Sequence, residues 1–219
     1  MPTLALVHTS PTLAPLFNEL TGRLLPDARV LHFVDESLIK NTIAAGILEK
    51  ATIRRAIALI GSTFDAGADV ALVTCSSIGP AVDAAATMIS VPVLRVDQPM
   101  ADRAVATGRR IGVVATLPTT LEPTAELIRR RAKNAGREIE LTSHLCEGAF
   151  DALMSGDAPR HDAMVAKALA GLASRVDVIV LAQASMARVV DALPAEDKPV
   201  PILSSPRLAV EHLATLLNA

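Results

Sequence analysis

A repeat constrains this chain more than anything else in it. The sixteen residues DVALVTCSSIGPAVDA at 69–84 return without a gap as DVIVLAQASMARVVDA at 177–192, 108 positions later, with six positions identical. Average residue usage leads one to expect about one. The likeness extends on both sides. VPVL at 91–94 answers VPIL at 200–203, and LALVHTSPTL at 4–13 answers IGVVATLPTT at 111–120, with a Thr-x-Pro-Thr turn in each and offsets of 107 to 109. Two similar halves are expected, roughly 1–97 together with 206–219, and 98–205. They would be related by a pseudo-twofold axis, with a ligand in the cleft between them.

The class of each half follows from periodicity. Short β-branched runs at 3–8, 29–34, 69–74, 92–96, 111–115, 138–142, 177–182 and 200–203 predict strands. Stretches with apolar residues three and four apart, at 42–66, 80–89, 98–107, 120–135, 147–154, 159–174, 185–192 and 206–217, predict helices, with Pro or Gly commonly marking their ends. Strand and helix alternate, which predicts two Rossmann-like α/β lobes with parallel-dominated sheets. With 51% hydrophobic residues but neither Trp nor Tyr, the core must be built from Val, Leu, Ile and Ala packed between layers.

Charge and composition narrow the function. The 21 Lys and Arg do not exceed the 23 Asp and Glu, and four Phe offer almost no stacking platform, which argues against nucleic-acid binding. No apolar run reaches the roughly 18 residues that span a bilayer, and MPTLALVHTS has no basic leader, so a protein free of the membrane and cytoplasmic is expected. Cys75 and Cys146 show no zinc-like spacing, so no metal is expected and a reducing compartment suits them.

Ligands of open parallel sheets gather at the carboxyl ends of strands. Four such ends are rich in small polar residues: His8-Thr9-Ser10, Thr74-Cys75-Ser76-Ser77, Thr116 with Thr119 and Thr120, and Gln183-Ala184-Ser185. No Lys or Arg lies in these turns, so an anion there would be held by hydroxyls and backbone N–H groups. Cys75 follows an apolar strand and precedes a helix, a position that favours thiolate and predicts a thiol more acidic than usual. His8, His32 and Glu147 are candidate auxiliary acids or bases, though packing and capping also explain them. Ser37, after the acidic pair Asp35-Glu36, is a weaker substrate-binding candidate.

LVTCSSIGP at 72–80, VVATLPTTLEPT at 113–124 and VLAQASMA at 180–187, together with the tandem halves, resemble the aspartate/glutamate/hydantoin racemase superfamily over essentially the whole chain. That superfamily also contains maleate isomerase and arylmalonate decarboxylase. The resemblance implies proton transfer at the carbon beside a carboxylate, without any cofactor, between two cysteines that face each other. Cys75 matches the first of these. Gln183 stands where the second belongs, and an amide cannot exchange a proton at neutral pH. The resemblance further implies carboxylate binding by Ser76, Ser77, Thr116, Thr119 and Thr120, and the repeat adds Thr9 and Ser185. A homo-oligomer acting on a small carboxylate is expected. Three functions stay open: a racemase-like isomerase using Cys75 as its single thiol, a decarboxylase using one cysteine to protonate an enediolate, and a carboxylate-binding protein without catalysis.

Overall fold

The computed structural model describes residues 1–217. By packing, the chain divides into two units. The first is Met1–Gln98 together with the segment from Pro206 onward, and the second is Pro99–Ser205.

Unit 1 is built on strands β1 (Thr3–His8), β2 (Arg29–Val34), β3 (Val70–Val73) and β4 (Val93–Arg95), in the spatial order β2-β1-β3-β4. Every pairing is parallel. Its helices are α1 (Ala14–Leu24), α2 (Glu36–Ala45), α3 (Lys50–Asp65) and α4 (Gly79–Met88). The central strands are buried along their whole length, as a parallel sheet covered on both faces requires. Alternation divides them between two cores. Leu4, Leu6 and Leu72 pack with Phe17 of α1, whereas Val7 and Val73 pack with Leu38 of α2, Ile60 of α3 and Val82 of α4.

Unit 2 repeats this plan with β5 (Arg110–Ala115), β6 (Glu140–Leu145), β7 (Val178–Leu181) and β8 (Ile202–Ser204), ordered β6-β5-β7-β8 and parallel throughout. Around them lie α5 (Gln98–Thr107), α6 (Pro118–Asn134), α7 (Ala149–Met154), α8 (Ala158–Ala173) and α9 (Ala187–Ala192). Even the entries to the strands match. Asp69 accepts the N–H of Thr3 at 2.7 Å, and Asp177, 108 residues on, accepts the N–H of Arg110 at 2.8 Å. In each unit a carboxylate ahead of the third strand therefore caps the start of the central one.

The last helix of each repeat is exchanged. Helix α5 follows β4 but from Pro99 onward belongs to unit 2, and α10 (Ser205–Leu217) follows β8 while Ala209, Val210 and Leu213 enter the core of unit 1 beside Leu4 and Leu6.

All eight strands predicted from the sequence are present. Two helical details differ from expectation. The stretch 42–66 is two helices, because Gly46 adopts a left-handed conformation (φ 69°) that ends α2. Helix α1 was not predicted. It contributes only Phe17 and Thr21 as buried residues, so its apolar stripe is too thin to register as a period.

Leu213 is fully buried, so Leu213→Ala should lower the stability of the whole chain by about 2–5 kcal/mol. Urea denaturation checks this, and a loss below about 1 kcal/mol would show that α10 is dispensable to the core of unit 1.

Candidate active site

In both units the chain leaves its third strand in the same way. The ladder extends one residue beyond β3 and β7, with the N–H of Thr74 donating to Val7 O and that of Ala182 donating to Val114 O, each at 2.9 Å. The next residue is extended: Cys75 has φ −132° and ψ 116°, and Gln183 has φ −131° and ψ 137°. A single 3-10 turn follows in each, Ser76–Ile78 and Ala184–Met186, and then α4 and α9 begin. Cys75 and Gln183 therefore occupy the same structural position in their respective units.

The partners correspond as well. In unit 1 the Thr9 hydroxyl donates to the Cys75 thiol, joined by the N–H groups of Ile78 and Ser77 and the Ser77 hydroxyl. In unit 2 the Thr116 hydroxyl donates to Gln183 Oε1 at 2.9 Å, and the Thr116 N–H donates to the same oxygen at 2.6 Å. Two donors on one oxygen settle which way the amide points. The NH2 of Gln183 is therefore the end turned away from Thr116, and it can only donate.

Burial pushes the Cys75 thiol above its ordinary pKa, and the four donors reduce that rise without cancelling it. This corrects the expectation of a thiol more acidic than usual. The residue caps a three-residue 3-10 turn, and the α-helix that would favour thiolate begins only at Gly79. Cys75 is half-buried and neutral at rest. Cys146 is buried, and its pKa is pushed up to about 11.

His8 is fully buried at the end of β1. Its Nδ1 lies 2.8 Å from Thr74 Oγ1 and its Nε2 lies 2.9 Å from His32 Nδ1, while His32 Nε2 lies 2.8 Å from Asn18 Oδ1. A chain of side chains thus ties α1, β2, β1 and β3 together beside the Cys75 turn. Asn18 had no sequence signal, because it lies on the helix that periodicity missed. Burial first, and repulsion from His32 second, lower the His8 pKa to about 4, so this imidazole is neutral at pH 7.

The other expected residues are placed as follows. Ser76 and Ser77 are buried in the turn after Cys75, and Ser185 is half-buried in the turn after Gln183. Thr119 and Thr120 open α6, and the Thr119 hydroxyl is buried with no partner among the described residues. Glu147 is exposed between β6 and α7. With Cys146, Lys167 and Arg175 it lines a groove of about 460 Å³ whose lining includes neither Thr116 nor Gln183. Ser37 binds the carboxylate of Asp35, the N-cap of α2, and so serves the helix start. Among the described residues no helix is long and apolar enough to cross a membrane.

Comparison with known proteins agrees with this fold. The family model described as Asp/Glu/Hydantoin racemase matches residues 7–213. A glutamate racemase from Francisella tularensis, solved in complex with D-glutamate, superposes with a TM-score of 0.76 at 17% identity, covering 99% of this chain and 81% of that one. An allantoin racemase from Klebsiella pneumoniae gives 0.72 at 16% identity, covering 100% and 88%. An aspartate racemase from Picrophilus torridus gives 0.72 at 12% identity, covering 98% and 95%. A search of curated protein sequences finds no match.

The His8 shift has a definite sign. Folding holds the imidazole neutral, so its contribution to stability is complete above the unfolded pKa near 6.5 and is lost as pH falls towards about 4. At its limit the loss is on the order of 3 kcal/mol. Urea unfolding at several pH values between these limits should therefore show a steeper fall in stability for the wild type than for His8→Leu. Equal slopes would show that His8 does not titrate with folding.

Proposed function

The chain belongs to the Asp/Glu/hydantoin racemase family, and from that premise we propose a cofactor-independent isomerase in which Cys75 is the only thiol acid/base. It moves a proton at the carbon beside the carboxylate of a small hydroxy-, oxo- or amino-acid. Gln183 acts as an oriented hydrogen-bond donor to a substrate oxygen. The observation that carries this reading is the pair of equivalent turns: one Thr hydroxyl donates to a thiol in unit 1, and its counterpart donates to an amide oxygen in unit 2.

The chemistry follows from the donors. Thr116 holds Gln183 Oε1, so the amide offers N–H groups where a second base would otherwise stand. The Thr119 hydroxyl at the start of α6 is a further uncommitted donor. Thr9, Ser76, Ser77, Thr120 and Ser185 complete the set of hydroxyls proposed to hold the carboxylate, and D-glutamate in the Francisella enzyme is a ligand of that class. Preorganised donors of this kind stabilise an enediolate more than they stabilise the ground-state carboxylate. Once the Cys75 thiol has passed its proton to water, a proton leaves carbon for the thiolate, the electron pair moves onto the carboxylate oxygens, and a proton returns to carbon from Cys75 or from water. Neutral His8, with both ring nitrogens engaged, does not take part in the transfer.

A second reading, decarboxylation, is favoured by one observation: the Cys75 thiol rests protonated. When CO2 leaves a substrate that keeps a second carboxylate on the same carbon, the bonding pair moves into that carboxylate as an enediolate, the S–H delivers its proton to carbon, and water reprotonates the thiolate. That sequence needs one acid and no second base.

The test is a screen of small carboxylates in deuterated water, following α-hydrogen exchange, chirality and CO2 release. Cys75→Ser should lower turnover by at least about a hundredfold with folding intact, because a serine hydroxyl is a much poorer base. Gln183→Ala should raise KM or lower kcat and leave exchange in part. Gln183→Cys should gain slow racemisation. Activity in Cys75→Ser close to that of the wild type would remove the thiol from the mechanism.

A further inference from the structure

Arg95 stands at the end of β4, opposite Val73 in the parallel register, and is only 5% exposed. A guanidinium so placed must have its N–H groups answered. Its Nε and Nη2 donate to the two oxygens of Asp97 at 2.9 and 2.8 Å, and its Nη1 donates to Asp83 at 2.8 Å. Asp97 is fully buried just beyond β4, and Asp83 lies on α4, so the guanidinium is pinned from two elements. In that position it lies against Gly79. A Cβ there would stand 2.3 Å from Cζ and from Nη2.

Gly79 is the hinge between the 3-10 turn and α4. Its N–H closes the turn on Ser76 O, and it is the first residue of the helix. The two residues before it, Ser77 and Ile78, are those whose N–H groups donate to the Cys75 thiol. Contact at Gly79 therefore constrains the short stretch of backbone that aims those donors.

Unit 2 lacks the arrangement. Its register places Ser204 opposite Leu181, where unit 1 has Arg95 opposite Val73, and the repeat puts Ala187 at the place of Gly79. An alanine Cβ would occupy the space that the guanidinium fills in unit 1. The two halves thus differ at both members of an interlocking pair, and the pair is present only in the half whose turn carries a thiol.

We propose that Arg95, held by Asp97 and Asp83 against Gly79, is a positioning residue that keeps the 76–78 turn in the geometry at which the Ser77 and Ile78 N–H groups stabilise the Cys75 thiolate. The proposal rests on Cys75 being the reacting thiol, but its test reads the thiol directly and needs no substrate. It can therefore fail while the functional reading stands, and the reverse is equally true.

The experiment measures iodoacetamide alkylation of Cys75 and Cys146 in the full chain as a function of pH, resolved by peptide mass spectrometry. Three variants are compared with the wild type. Gly79→Ala pushes the guanidinium off the turn. Arg95→Met combined with Asp97→Asn removes it without leaving a buried carboxylate alone. Ala187→Gly makes the reciprocal change at the matching place in unit 2. The first two should shift the Cys75 alkylation midpoint upward and slow the reaction about tenfold at a fixed pH below the midpoint, the effect of one pKa unit. Cys146 should stay slow to react in both, which reports an intact fold, and Ala187→Gly should leave the Cys75 curve where it was. An unmoved midpoint in both variants overturns the proposal, whatever the rate. So does a Cys146 as reactive as Cys75 in both, since the cluster would then support the fold and nothing finer.

Discussion

Parallel pairing of a fully buried central strand is the constraint on which the rest depends. Because β1 lies between β2 and β3, and β5 between β6 and β7, every connection within a unit must cross back over its sheet, and the strands of each sheet all end at that sheet's own carboxyl edge. The buried length of β1 and β3 leaves no room for polar side chains within the ladder, apart from Thr3 and His8 at the two ends of β1. Chemistry is thereby displaced to the first residues beyond it. Thr9 and Cys75 occupy that position in unit 1, and Thr116 and Gln183 occupy it in unit 2, each pair joined within its own unit.

Within this common frame the halves have kept the donor and changed the acceptor. Thr9 and Thr116 are equivalent, and each directs its hydroxyl at the side chain on the neighbouring strand end. On a thiol, that bond favours the charged form. On an amide oxygen, the same bond fixes an orientation and turns the NH2 outward. A single substitution thus converts a position able to exchange protons into one that can only donate hydrogen bonds, and it does so without disturbing the backbone.

Much of this was legible in the sequence, for identifiable reasons. The eight strands announce themselves because buried parallel strands are uninterrupted apolar runs, and the repeat marks Cys75 and Gln183 as equivalents before any fold is known. Helix α1 was hidden because two buried residues make no pattern. The acidity of Cys75 was misjudged because sequence shows neither how far burial desolvates the thiol nor that a 3-10 turn stands between it and the helix. Arg95 was invisible as a site residue. An arginine ending a short strand reads as surface, and only the packed structure shows its guanidinium spread over Gly79.

Around the Cys75 turn, the carboxyl edge of unit 1 holds His8 and Cys75 neutral. Burial drives His8 and Cys75 in opposite directions on the pH scale, yet both end uncharged at pH 7. Among the described residues, the buried side chains of fixed charge are Arg95 and Asp97, and these answer each other. A carboxylate brought beside the thiol would add an unpaired negative charge to such a place and push the thiol further towards its protonated form. Hydrogen bonds gain strength in the same low dielectric, so the donors around Sγ become more important as negative charge gathers there. For Cys75 to act as a base as well as an acid, those donors must therefore favour the thiolate against both burial and the added charge, and how well they do so decides between the two roles.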